Sequence, residues 1–210
     1  MVSKLTAEAR LAAVAVAQAG AFTRAQAIAA GFSAAQIERR VRAAAWVRVF
    51  PRVYRHATAP SSSALEHWAA VLWCGQPCAL SHTSAAAVWR LRGPTIDRPE
   101  LIVPKTRAPR GAGVVVHRVT RLAGDDVVWV GRLPVTSPAR TVIDLAGVLD
   151  LEDLEAVVAV ARTRRMVTVR ALRGHLDEIG AVGRPGAARL RRLLATIGSG
   201  RVEPSARMAG

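Results

Sequence analysis

Lysine is nearly missing from this chain of 210 residues, occurring only at Lys4 and Lys105, so that arginine supplies almost all of the 30 basic residues. Acidic residues are also few, 15 in all, which leaves a formal net charge of +15. Aromatic residues make up 4% of the chain, and much of its 51% apolar content is alanine. A β-sandwich core is excluded on that ground, and cores of helix on helix, where small side chains allow close approach, are expected. The apolar fraction also excludes a disordered basic tail.

Cysteine is scarce as well. Cys74 and Cys78 are the only two, and Cys-x3-Cys is neither the Cys-x2-Cys of a zinc site nor a disulfide framework. Buried, reduced thiols of a cytoplasmic protein are expected. No long hydrophobic run is present. The longest stretch free of Asp, Glu, Lys and Arg, His67 to Trp89, is broken by Gly75, Gln76, Pro77 and Ser81 to Ser84, so no membrane span is expected. Lys4 and Arg10 ahead of LAAVAVAQAGA loosely imitate a signal peptide, but that apolar core is short and leads directly into helix signals.

What is present is arginine in particular places. Residues 1–60 carry nine basic residues against two acidic ones, whereas residues 61–130 carry eight against five and residues 131–210 thirteen against eight. A polyanionic partner for the N-terminal third follows, and nucleic acid is the commonest.

The same third has sharp helix boundaries. A first helix is expected from Ala7 to Ala19, capped by Thr6 and ended by Gly20. Thr23 with Gln26 and Ser33 with Gln36 form two successive capping boxes, Phe32 and Ile37 can staple the second, and Gly31 separates the helices. After the third helix, Trp46 to Phe50 and Val53 to Arg55 are β-prone runs around Pro51-Arg52, read as a hairpin. Three helices and a hairpin make a winged helix-turn-helix over residues 1–57.

Residues 58–63, with Pro60 and serines, read as a linker, after which Ser63 and Glu66 start another capped helix. Strand-like runs follow at Glu100 to Val103, Val114 to Val119, Val127 to Val130 and Leu133 to Val135, expected to form a small antiparallel sheet. Further helices are expected at Ser84 to Leu91, after Ser137-Pro138, and at three later apolar stripes, the first with Leu151, Leu154, Val158 and Ala161. Residues 64–197 thus read as a second, α+β domain packed with helices, and 198–210 as a disordered tail. The fold class is α+β, mostly helical.

In a helix-turn-helix the second helix of the motif enters the major groove. Ile37, Val41 and Ala44 share one face of the third helix, and Arg39 and Arg42 lie roughly 200° and 140° away from Ile37. Arg39 is the candidate for a bidentate contact to guanine and Gln36 for adenine, although Gln36 also serves its capping box. Arg40, Arg42, Arg48, Arg52 and Arg55 suit phosphates. Arg24, a cation in a first turn where the helix dipole favours anions, makes sense if a phosphate sits nearby.

Catalytic chemistry is poorly represented. His56, His67, His82, His117 and His175 lack metal-ligand spacing, and no cofactor motif is present. Asp97, Glu100 and Lys105 faintly imitate a metal-dependent nuclease, but a spacing of five puts Glu100 and Lys105 on opposite faces of a strand. Asp125-Asp126 reads as a turn, and Asp144 can pair with Arg140 one helical turn back. No enzyme is expected.

The run AFTRAQAIAAGFSAAQIERRVRAAAWVRVFPRVYRH resembles the N-terminal winged-helix domain of the abortive-infection type IV antitoxins, the AbiEi family, and ALSHTSAAAVWRL and PVTSPARTVIDLA resemble the domain that follows it in many members. The resemblance implies a cytoplasmic bacterial protein that binds inverted repeats in its own promoter, represses its own operon, and opposes a nucleotidyltransferase-type toxin. A homodimer would fit an inverted repeat. Two departures stand out: Arg52 occupies the hairpin position where Gly usually follows Pro, so a type I turn is expected in place of type II, and Arg90 stands where Gly is common after the Trp. Many relatives continue into a domain resembling a very-short-patch-repair endonuclease, which would begin at RVEPSARMAG. The alternative reading is therefore the DNA-recognition portion of a nuclease whose endonuclease domain is missing or truncated.

Overall fold

The computed structural model describes residues 6–91, 97–111, 113–180 and 185–199. The protein is α+β, with helices and two sheets of three and five strands. It divides into two compact units, Met1–Leu80 with Ile96–Val135, and Ser81–Thr95 with Thr136–Gly210.

The first unit opens with helix α1 (Ala7–Ala17), strand β1 (Ala21–Thr23), helices α2 (Arg24–Ala30) and α3 (Ala34–Arg42), and strands β2 (Trp46–Phe50) and β3 (Val53–His56). Both capping boxes form. Thr23 Oγ1 accepts from the Gln26 amide at 3.1 Å and Gln26 Oε1 accepts from the Thr23 amide at 2.8 Å, and Ser33 and Gln36 repeat the exchange at 3.2 and 2.8 Å. Gly31 ends α2 at φ 109°, where a Cβ would also meet Arg10. β1 pairs with β3 antiparallel, so the sheet order is β1-β3-β2, a strand more than the sequence reading contained.

Alternation along this sheet divides the unit's core in two. Phe22 and Tyr54 join Leu11, Ala27, Phe32, Ile37 and Trp46 among α1–α3. Two of the three phenylalanines and the single tyrosine of the chain are spent here, with Phe22 and Phe32 edge-on to Trp46 at 4.8 and 5.1 Å. So small a core needs large side chains to bury enough area. Ala21 and Val53, one residue along, face the other way and pack with Ala69, Trp68 and Leu72 of helix α4 (Ser63–Cys74).

That packing moves the domain boundary. Residues 58–63 lead into a helix that covers the sheet of the same unit, rather than separating two units, because α4 buries the face that β1 and β3 would otherwise expose. The cap of α4 is Ser62, whose Oγ accepts from the Leu65 amide at 3.2 Å, one residue earlier than expected. In the hairpin, Arg52 takes a left-handed φ of 65°, and the pairing of β2 with β3 shifts register between Arg48 and Phe50. The Arg52 carbonyl receives the Arg24 amide of α2 at 2.8 Å, a contact that offsets a conformation costing on the order of 1 kcal/mol without glycine.

The second sheet comprises β4 (Ala79–Leu80), β5 (Glu100–Pro104), β6 (Val115–Val119), β7 (Val127–Val130) and β8 (Leu133–Thr136) in the order β6-β5-β4-β8-β7. It is mixed rather than wholly antiparallel: β4 runs antiparallel to β5, but β5 with β6 and β4 with β8 are parallel.

The second unit holds α5 (His82–Trp89), α6 (Pro138–Leu145), α7 (Leu151–Thr163), α8 (Val169–Glu178) and α9 (Ala187–Gly198). Its core includes Val142, Leu145, Leu154, Val158, Leu172, Leu176, Leu190 and Leu194. Leu151 is half exposed and not on that face. Arg90 ends α5 in the left-handed conformation that Gly would supply, and Arg164 donates to the carbonyls of Trp89 and Arg90 at 3.3 and 2.8 Å. Of the expected tail, Gly198 ends α9, and residues 200–210 lie outside the described residues. Among the described residues, no helix is long and apolar enough to cross a membrane.

Candidate nucleic-acid interface

Helix α3 is held from three sides. Ser33 caps it, Ile37 is fully buried beneath it, and Arg40 lies over the rings of Phe32 and Trp46 at 4.5 and 5.5 Å while pairing with Glu8 of α1. The opposite side is left exposed. Ala35, Glu38, Arg39 and Arg42, at i, i+3, i+4 and i+7, form one stripe along the helix. Arg39 and Arg42 have no partner among the described residues, and the small Ala35 side chain leaves the backbone there open to close approach.

The remaining predicted contacts divide into two groups. Arg48 and Arg52 are exposed on the hairpin, Arg48 at 6.0 Å from the ring of Tyr54 and Arg52 at the turn. Arg24, Arg40 and Arg55 are occupied within the protein. Arg55 Nη1 donates to the carbonyls of His56, Ala57 and Ala59 at 3.2, 3.2 and 2.7 Å, holding the chain after β3. Arg24 pairs with Glu38 at 3.1 Å. The amide that begins α2 is also taken, by the Arg52 carbonyl, so the position of Arg24 has an explanation inside the fold that needs no phosphate. Gln36 keeps its amide oxygen in the capping box.

An open groove of about 430 Å³ lies between α2, the hairpin turn and the end of α4, lined by Arg24, Ile28, Arg52, Leu72 and Trp73 among others. Ile28 is half exposed. The sequence reading passed over Glu38, and the signal that could have found it is its place between Ala35 and Arg42 on the same arc as Arg39.

The acid and lysine positions that imitate a nuclease are not brought together. Glu100 is buried on β5 with its carboxylate 3.1 Å from His117 Nε2, whereas Asp97 and Lys105 are exposed. Asp125 and Asp126 form a short 3-10 turn in which the Asp126 carboxylate accepts from the Ala123 amide at 2.7 Å. Cys74 and Cys78 are buried free thiols. The neighbouring Cys78 side chain and the adjacent Arg107 guanidinium lower the Cys74 thiol, while the Cys74 side chain and burial raise Cys78, whose Sγ lies 3.9 Å from the Val71 carbonyl. Arg107 also donates to the carbonyls of Cys74, Gly75 and Pro77, at 2.6, 2.6 and 3.0 Å, where α4 ends.

No family model and no curated protein matches this sequence. Among solved structures, the crystal structure of the RV2827C protein from Mycobacterium tuberculosis is similar, with a TM-score of 0.58 and 17% identity over 90% of this chain and 76% of that one. At that identity the likeness concerns the fold.

Proposed function

We propose that the N-terminal helices and hairpin form a winged helix-turn-helix that binds duplex DNA sequence-specifically, and that the protein is an antitoxin-like autorepressor of its own operon. The observation that carries this reading is the exposed stripe of α3, where Arg39 and Arg42 stand without partners while Arg40 on the same helix is fully engaged. An arginine that neither caps nor pairs has its whole hydrogen-bonding fork available for guanine or phosphate. Arg48 and Arg52 extend the same basic character to the hairpin.

In this reading Arg39 contacts a base edge, with Gln36 offering its amide nitrogen beside it. Arg42, Arg48 and Arg52 meet phosphates and set the register. Arg24, Arg40 and Arg55 hold the scaffold. Two copies of the chain would meet an inverted repeat, and the repression would act in the cytoplasm of a bacterium, against a nucleotidyltransferase-type toxin encoded next to it.

Binding to a duplex from the gene's own upstream region, followed across salt concentrations, tests the reading. Each neutralised phosphate contributes about −0.9 to the log-log slope, and the upstream duplex should bind at least about 1,000-fold more tightly than random DNA. Equal affinity for both at physiological salt overturns it. A neighbouring nucleotidyltransferase gene is the check on the antitoxin half.

A further inference from the structure

Glu38 is out of place on a face meant for a polyanion. It is one of two acidic residues in the first 60, and it sits in the middle of the exposed α3 stripe, beside Arg39 and between Ala35 and Arg42. Its side chain is 50% exposed, and one oxygen, Oε1, lies 3.1 Å from Arg24 Nη1. The other oxygen has no partner among the described residues. Exposed ion pairs contribute only about 0–1 kcal/mol to stability, a weak reason to hold a carboxylate where phosphates would repel it.

In the major groove the cytosine amino group is the donor that a carboxylate accepts from. We infer that Glu38 is a specificity determinant which accepts a hydrogen bond from a cytosine amino group, with Arg24 as the residue that positions it. Arg24 begins α2 and its own amide is fixed by the Arg52 carbonyl at 2.8 Å. It therefore holds Oε1 from the side, offsets part of the negative charge, and leaves Oε2 to the base. Arg39, the next residue, reads guanine on the same arc, so the two together favour G·C pairs at the centre of the contact. This inference rests on the DNA-binding reading above.

A carboxylate that reads a base and one that merely ties α2 to α3 differ in the sign of an effect. Removing a charge that only repels phosphate strengthens binding to every duplex. Removing a reader weakens binding to the selected duplex while strengthening binding to a scrambled one.

The experiment is selection from a randomised duplex pool with the full chain, followed by affinities for the selected and a scrambled duplex, for wild type, Glu38→Gln, Glu38→Asp and Arg24→Ala. Wild type is expected to enrich cytosine at one position. Glu38→Gln should lose that preference in favour of adenine, which Gln recognises through N6 and N7, with the other positions kept. Its affinity for the selected duplex should fall on the order of tenfold and that for the scrambled one rise. Glu38→Asp keeps the charge but shortens the reach, and should broaden the same position. Arg24→Ala should broaden it too, whereas a purely structural tie would leave the enriched sequence unaltered. If Glu38→Gln enriches the same sequence as wild type, the inference is overturned and the DNA-binding reading stands. If wild type enriches no sequence, both fall.

Discussion

The two units use arginine differently, and the difference explains why net charge alone says little about this protein. In the second unit, arginines close the fold. Arg140 is fully buried, with its Nε 2.9 Å from both carboxylate oxygens of Asp144. Arg164 satisfies carbonyls at the end of α5, Arg173 donates to the Leu194 carbonyl, Arg189 to that of Leu149, and Arg191 pairs with Asp177. Arg162, Arg165, Arg170 and Arg192 are exposed and spread over α7, the turn after it, α8 and α9, alongside Glu152, Asp153, Glu155, Asp177 and Glu178. In the first unit Arg10, Arg24, Arg40, Arg55 and Arg107 do similar structural work. What differs is that four of the others, Arg39, Arg42, Arg48 and Arg52, are gathered on one helix stripe and one hairpin, whereas Arg98, Arg110, Arg121 and Arg132 are exposed singly in the loops and turns around the second sheet.

A guanidinium suits both tasks because its fork meets carbonyls at helix ends as well as phosphates and guanine. A chain that uses arginine in place of lysine therefore needs a census of partners before its charge can be read. The largest expected effect tests the structural side of the comparison. Asp144→Ala leaves Arg140 without its buried carboxylate and should cost about 3–5 kcal/mol in urea unfolding, with DNA affinity per folded molecule unchanged.

Arg39→Ala should do the reverse. Its loss is expected to weaken binding to the operator by about 1–3 kcal/mol and relax one base pair, while the free energy of unfolding stays within about 0.5 kcal/mol of wild type. Arg40→Ala, one residue away, belongs with the structural set. Losing its stacking on Phe32 and Trp46 and its pairing with Glu8 should destabilise by about 1 kcal/mol, leaving the selected DNA sequence unaltered. If Arg40→Ala changes the selected sequence, the division between the two groups breaks.

The smallest effect concerns pH. Burial of His67 on α4 lowers its imidazole from an ordinary value of 6.5. The unfolded chain then takes up the proton first, so stability should fall as pH drops below about 6.5 and level off once the folded form is protonated as well. His67→Gln should flatten that part of a stability profile measured by urea unfolding.

Much of the first unit was legible locally. Thr6, the two capping boxes, Gly31 and the Pro51-Arg52 hairpin are signals spanning a few residues, and the elements they mark formed where expected. The helix face of Arg39 and Arg42 follows from periodicity alone. Less legible were contacts between residues far apart in the chain. β1 is three residues long and pairs with β3 some thirty residues later, and nothing local marks Ala21 and Val53 as the floor for α4. Nor does anything local mark the left-handed conformation of Arg52, which has no glycine's freedom and whose carbonyl accepts from the Arg24 amide of another element.

For this protein, then, the sequence by itself determined the helix starts and stops, the apolar stripes and the concentration of uncompensated arginine in the first third, since each depends on side chains within one or two turns of each other. Only the tertiary structure decided which arginines are occupied, that Glu38 lies among the free ones with Arg24 beside it, that α4 belongs with the first sheet, and that the second sheet is mixed. Those outcomes depend on which distant backbone and side-chain groups come within hydrogen-bonding or van der Waals reach, and a guanidinium four bonds from its backbone can satisfy partners that no spacing rule records.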